Sequence, residues 1–118
     1  VLPMMEGVIV LPIVGTLTVE RAELLLETLL HGLHDHRAEL AILDLTGVLD
    51  ISPEAALVLG RAIDGALLLG AKPVLVGIQA EVAPVLSDLY VDLQSIQMLS
   101  DLSAGLAYAS QSRHLSGR

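Results

Sequence analysis

Ala41-Ile42-Leu43-Asp44-Leu45-Thr46-Gly47-Val48 runs into Leu49-Asp50-Ile51-Ser52-Pro53-Glu54, and this stretch decides the fold. The nearly continuous apolar run Leu40–Leu45 predicts a strand buried in a parallel sheet. It breaks at Thr46-Gly47. Ser52-Pro53-Glu54 then has the chemistry of a helix start: a hydroxyl at the N-cap, proline at the first helical position and an acid in the first turn. A hydroxyl so placed lies near the positive end of the helix dipole and its unpaired N–H groups, which suits a phosphate. The plainer reading, in which Ser52 only caps the helix, carries more weight.

Outward from this stretch, strand and helix signals alternate. Gly7 to Val14 reads as a strand whose Pro12 predicts an edge position or a bulge. Gly15-Thr16-Leu17-Thr18 reads as a turn, with Thr18 as N-cap of a helix from about Val19 to His34. Its apolar stripe is Ala22, Leu25, Leu26, Leu29 and Leu33, and the opposite face carries Glu20, Glu23, Glu27, His31 and His34. Asp35 to Glu39 is a polar loop. The second helix is expected from Pro53 to about Leu69, closed by Gly70 and kept from continuing by Pro73. Val74–Ile78 reads as another buried strand, and Glu81–Leu89 as a short helix with Pro84 in its first turn. A brief strand near Ser95–Met98 precedes a last helix capped by Ser100. The polar end from Ser110 reads as frayed. This alternation implies a parallel or mostly parallel sheet under helical cover, joined by right-handed crossovers.

The chain has 118 residues, enough for one domain with a real core. Its hydrophobic fraction is 53% with only two aromatics, Tyr90 and Tyr108, so the interior must be aliphatic. The mean hydropathy of +0.71 suggests apolar surface covered by partner chains. A membrane span is the rival explanation, but no stretch approaches the ~20 apolar residues a span requires. No basic region opens the chain, so it does not read as a signal peptide. The formal net charge is −8, with Lys72 the only lysine. That argues against nucleic-acid binding, which needs clustered positive charge. The absence of cysteine fits a cytoplasmic protein. The chain opens on Val1 and reads as an excised piece of something longer.

Candidate chemistry is sparse. His31, His34 and His36 invite a metal reading, but the stronger expectation is a surface cluster with no metal. Asp44 inside a buried strand needs a partner, or must turn toward the sheet edge to bond a loop N–H. With Asp50 it could form an acidic pair at the carboxyl end of the sheet, where α/β ligand sites gather. No nucleophile–histidine pair, phosphate loop or dinucleotide fingerprint accompanies it, and Gly60, Gly65 and Gly70 belong to a helix. The expectation is no enzyme and no cofactor.

Five segments recur in order and spacing: Pro12–Leu17, Glu20-Arg21-Ala22, His36–Glu39, Ile42–Val48 and Leu69–Ile78. Together they resemble the STAS domain of anti-sigma-factor antagonists and sulfate-transporter tails. Within that family the likeness is greatest to the carboxyl-terminal domain of RsbR-type stressosome proteins. The resemblance implies an α/β fold, a small mixed, mostly parallel sheet flanked by about four helices, over residues 1–110, with 111–118 a disordered tail. It also implies a non-enzymatic interaction module. Its partners would be STAS paralogues, further copies of itself, and a serine/threonine switch kinase or anti-sigma factor, with no nucleic acid and no membrane insertion. Phosphorylation at the second-helix start controls partner choice in that family. Here the family's acceptor positions fall on Pro53 and Val19, and hydroxyls stand one residue earlier, at Ser52 and Thr18. Asp50, Ser52 and Glu54 would form the partner-facing loop. Either the acceptors have shifted, or phospho-control is lost, which is the reading we favour. The rival functions are a cytosolic STAS tail of an anion transporter and a small α/β hydrolase using Asp44, Asp50 and Ser52.

Overall fold

The computed structural model describes residues 2–89 and 96–116. Nine elements follow one another: β1 (Leu2–Met5), β2 (Val8–Leu17), α1 (Val19–Asp35), β3 (Leu40–Ile51), α2 (Pro53–Leu68), β4 (Lys72–Val76), α3 (Ala83–Leu89), β5 (Gln97–Leu99) and α4 (Leu102–Ser116). The strands lie in the sheet in chain order. β1 folds back antiparallel on β2, and β2 to β5 are parallel. A small, mixed, mostly parallel sheet with four helices among the described residues is the expected STAS architecture.

Two layers of side chains explain the continuous apolar strands. One face of the sheet points Ile9, Leu43 and Leu75 into a core shared with Leu25, Leu29, Leu59 and Ile63 of α1 and α2. The other points Val10, Ile42, Val74 and Val76 at Leu106 and Ala109 of α4. Covered on both faces, the centre of the sheet has no use for alternation. α1 buries Ala22, Leu25, Leu29 and Leu33 as its periodicity demands, with Leu26 half-buried.

The helix starts follow local chemistry. Thr18 Oγ1 accepts from the Arg21 N–H at 3.3 Å, and Ser52 Oγ accepts from the Ala55 N–H at 3.0 Å. Each satisfies one orphan donor of its helix. α2 ends one residue before the expected Leu69. Gly70, at φ +84°, lets the chain reverse while the Ala71 N–H bonds back to the Ala66 carbonyl at 3.0 Å.

Several expectations need correction. β2 does not turn at Gly15 but continues to Leu17, and β3 does not stop at Thr46-Gly47 but continues to Ile51. Pairing between the two strands carries both through these breaks. The match is kept by two register shifts, at Pro12/Val14 and Gly15/Thr16, each placing an extra residue on β3. Pro12 sits beside the first shift and beyond Val10, the last residue of β2 paired with β1. β4 begins at Lys72 and ends at Val76, because Gly77 turns away at φ +70°. α3 begins at Ala83, two residues late, after a turn in which the Val82 and Ala83 N–H groups bond the Gln79 carbonyl. β5 covers Gln97–Leu99, and Ser95 lies outside the described residues. α4 is capped by Asp101 rather than Ser100: its Oδ1 accepts from the Ala104 N–H at 2.8 Å. α4 passes Ser110 and reaches Ser116, as no Gly or Pro stands between Ser110 and Gly117.

Candidate functional site

The two predicted hydroxyls arrive at one place. Leu17 and Ile51 are register partners at the ends of adjacent parallel strands. Thr18 and Ser52 are the next residues, so the N-termini of α1 and α2 open side by side, on strands about 4.8 Å apart. Both cap residues have extended backbone, with Thr18 at φ −87° and ψ 169° and Ser52 at φ −76° and ψ 155°. Their hydroxyl oxygens turn inward to the backbone of their own helices. Pro53 and Glu54 are exposed in the first turn of α2, Asp50 is exposed at the end of β3, and Val19 is half-buried at the start of α1.

Three features that hold this end together were not legible locally. Arg21, from the first turn of α1, reaches back with Nη1 to the Thr16 carbonyl, which lies opposite Asp50 in the ladder. Gln79, after β4, donates from Nε2 to the Thr46 carbonyl at 3.0 Å. Gly77 lies so close to Thr46 that a Cβ there would stand 2.9 Å from the Thr46 Cα. Each tie joins residues of different elements, and only the spatial arrangement reveals the partner.

Asp44 answers its burial problem within its own strand. Its Oδ1 accepts from the Thr46 N–H at 3.0 Å and the Thr46 hydroxyl at 2.6 Å, closing the bulge where β3 gains a residue. The pairing of Asp44 with Asp50 fails: six residues of extended strand separate them, roughly 20 Å at ~3.3 Å per residue. The Asp44, Asp50 and Ser52 constellation proposed for a hydrolase is not brought together. His31, His34 and His36 are exposed at the end of α1. Among the described residues, no group of three His, Cys, Asp or Glu side chains could hold a metal ion. A groove of about 160 Å³ lies between the outer edge of β2 and α1, lined by Pro12, Ile13, Arg21, Leu24 and Thr28 among others. Ligand pockets commonly enclose about 300–1,000 Å³. Among the described residues, no helix is long and apolar enough to cross a membrane.

The family model of the STAS domain matches residues 2–103. The chain belongs to the STAS family. This STAS domain is 34% identical over 108 residues to the RsbT co-antagonist protein RsbRA of Bacillus subtilis (strain 168), an alignment covering 92% of this chain and 39% of that relative. The chain thus spans about two fifths of the length of the curated relatives it matches. Among solved structures, a variant of RsbS from Moorella thermoacetica superposes with a TM-score of 0.80 at 24% identity, covering 93% of each chain. The STAS domain of a SulP transporter from Vibrio cholerae also reaches 0.80, at 14% identity over 96% of this chain and 88% of that one. At such identities the two structural likenesses show the fold. The sequence likeness is what connects this STAS domain to RsbR proteins.

Proposed function

We propose that this STAS domain is a non-enzymatic interaction module of a bacterial stress-signalling assembly, an anti-sigma-factor antagonist of the RsbR type. In this reading it works in the cytoplasm without a cofactor, packs with STAS paralogues and copies of itself, and captures a serine/threonine switch kinase or anti-sigma factor. The observation that carries the reading is the 34% identity to RsbRA over 92% of the chain.

In this proposal the domain is a constitutive scaffold, without phospho-control at the paired helix starts. Pro53 and Val19 have no hydroxyl to modify. Ser52 and Thr18 have one, but each already serves as a helix cap. A shift from the first helical position to an extended N-cap turns the hydroxyl in another direction, which a kinase active site would register. A phosphate on Ser52 would gain roughly 0.3–1 kcal/mol from the α2 dipole. It would also carry nearly two negative charges between exposed Asp50 and Glu54. Incubation with the cognate kinase, ATP and a known substrate paralogue, read by intact mass, tests this. The expected result is a modified control and an unmodified chain. Near-stoichiometric phosphate on Ser52 or Thr18 would instead establish shifted acceptors.

A further inference from the structure

The exposed face of α2 carries a pattern that the switch region does not use. Leu57, Arg61, Asp64 and Leu68 are all exposed, with Leu57 at 54% and Leu68 at 88%. At ~100° per residue they fall within about 60° of arc, one narrow stripe along the helix. The stripe is palindromic in spacing and reverses its charges: Leu, four residues to Arg, three to Asp, four to Leu. Two such stripes laid antiparallel place Leu57 against Leu68 and Arg61 against Asp64, twice over. Laid parallel about a twofold axis, they would oppose Arg61 with Arg61 and Asp64 with Asp64. A 4-3-4 spacing is also the seam along which helices pack side by side. The acidic face of α1 disfavours self-contact, because the chain carries a net charge of −8 and α1 exposes Glu20, Glu23 and Glu27. The α2 stripe holds one charge of each sign between two leucines and is locally neutral.

We infer that the exposed stripe of α2 is a self-recognition surface whose occupant is a second copy of this chain, docked antiparallel about a twofold axis. This rests on the self-association reading above and specifies where and how it happens. The contact is isologous: the same four residues serve both partners. The apolar ends span roughly 16 Å and flank a central pair of interchain ion pairs. Those ion pairs set the direction of packing more than its strength.

Sedimentation velocity of the 118-residue chain over a concentration series tests this, with far-UV circular dichroism confirming that each variant is folded. Wild type is expected to be at least dimeric at high micromolar concentration. Leu68→Glu should weaken association at least tenfold. Arg61→Asp and Asp64→Arg should each weaken it about fivefold, because either variant alone opposes like charges across the twofold axis. Their equimolar mixture should recover association, with the heterodimer visible by native mass spectrometry. In the mixed pair each position 61 again faces a position 64 of opposite charge on the other chain. An interaction confined to one helix cannot produce that rescue. A strictly monomeric wild type would overturn self-association itself. A wild-type oligomer untouched by Leu68→Glu, or charge variants without rescue, would overturn the α2 surface while leaving self-association standing.

Discussion

β2 and β3 run side by side through two different environments. From Val8 to Leu11 and from Leu40 to Leu43 they lie in the body of the sheet, with helices on both faces and exposures of 7% or less. From Val14 to Leu17 and from Gly47 to Ile51 they continue as a two-stranded extension beyond the ends of β1 and β4. There burial is intermittent: Leu17, Val48 and Ile51 face the core shared with α1 and α2, while Val14 is 63% exposed and Leu49 66%. The core that includes α4 draws on β2 and β3 only at Val8, Val10, Leu40 and Ile42. One strand can thus be fully buried at one end and amphipathic at the other, depending on what covers it. The body supplies stability, and the extension presents two helix starts on a surface.

The sharpest way to break this contrast lies within β3. Leu43→Ala, at a fully buried position, should destabilise the domain by about 2–5 kcal/mol, whereas Leu49→Ala should change stability by less than about 0.5 kcal/mol. Chemical denaturation of both variants measures the difference; equal losses would mean that the extension is as closely covered as the body.

The boundary between the regions is the next target. Gly77→Ala combines φ +70° with a Cβ 2.9 Å from the Thr46 Cα, so it should cost more than about 2 kcal/mol. Gly70 has φ +84° but nothing within 4 Å of a Cβ, so Gly70→Ala should cost about 1 kcal/mol from backbone strain alone. Comparable midpoints for the two would mean that close packing on Thr46 adds nothing to the backbone strain at Gly77.

The smallest expected effects compare the two caps on the extension. Ser52→Ala should cost about 1 kcal/mol and Ser52→Gly only a few tenths. Thr18→Ala should cost less than Ser52→Ala, because its cap bond is longer, 3.3 Å against 3.0 Å, and more exposed. Urea titrations that rank Thr18→Ala as the more damaging would show that Thr18 has a structural role beyond its cap.

The sequence was most legible where a few adjacent residues decide the outcome. Ser52-Pro53, Thr18 and Gly70 mark helix ends because caps and left-handed turns are satisfied within three or four residues. Leu40–Leu45 and Val74–Val76 announced buried strands because two covered faces demand continuous apolar character. The paired helix starts were half legible. Each cap could be read alone, but their adjacency follows from the register of Leu17 with Ile51, residues 34 positions apart.

What only the tertiary structure decided has a common cause. Thr46-Gly47 and Gly15 look like breaks, yet the strands continue, because pairing outweighs weak local propensity and bulges absorb the mismatch. Asp44 looks like a candidate acid, yet its oxygen is taken by Thr46 in the bulge. Asp50 looks like its partner but stands at the far end of the same strand. Sequence alone determined every element except β1, and their order, since capping, turning and apolar periodicity act over single turns and alternate residues. Which edges stay open, which faces stay bare and which side chains meet depended on elements dozens of residues away, whose positions no local rule encodes.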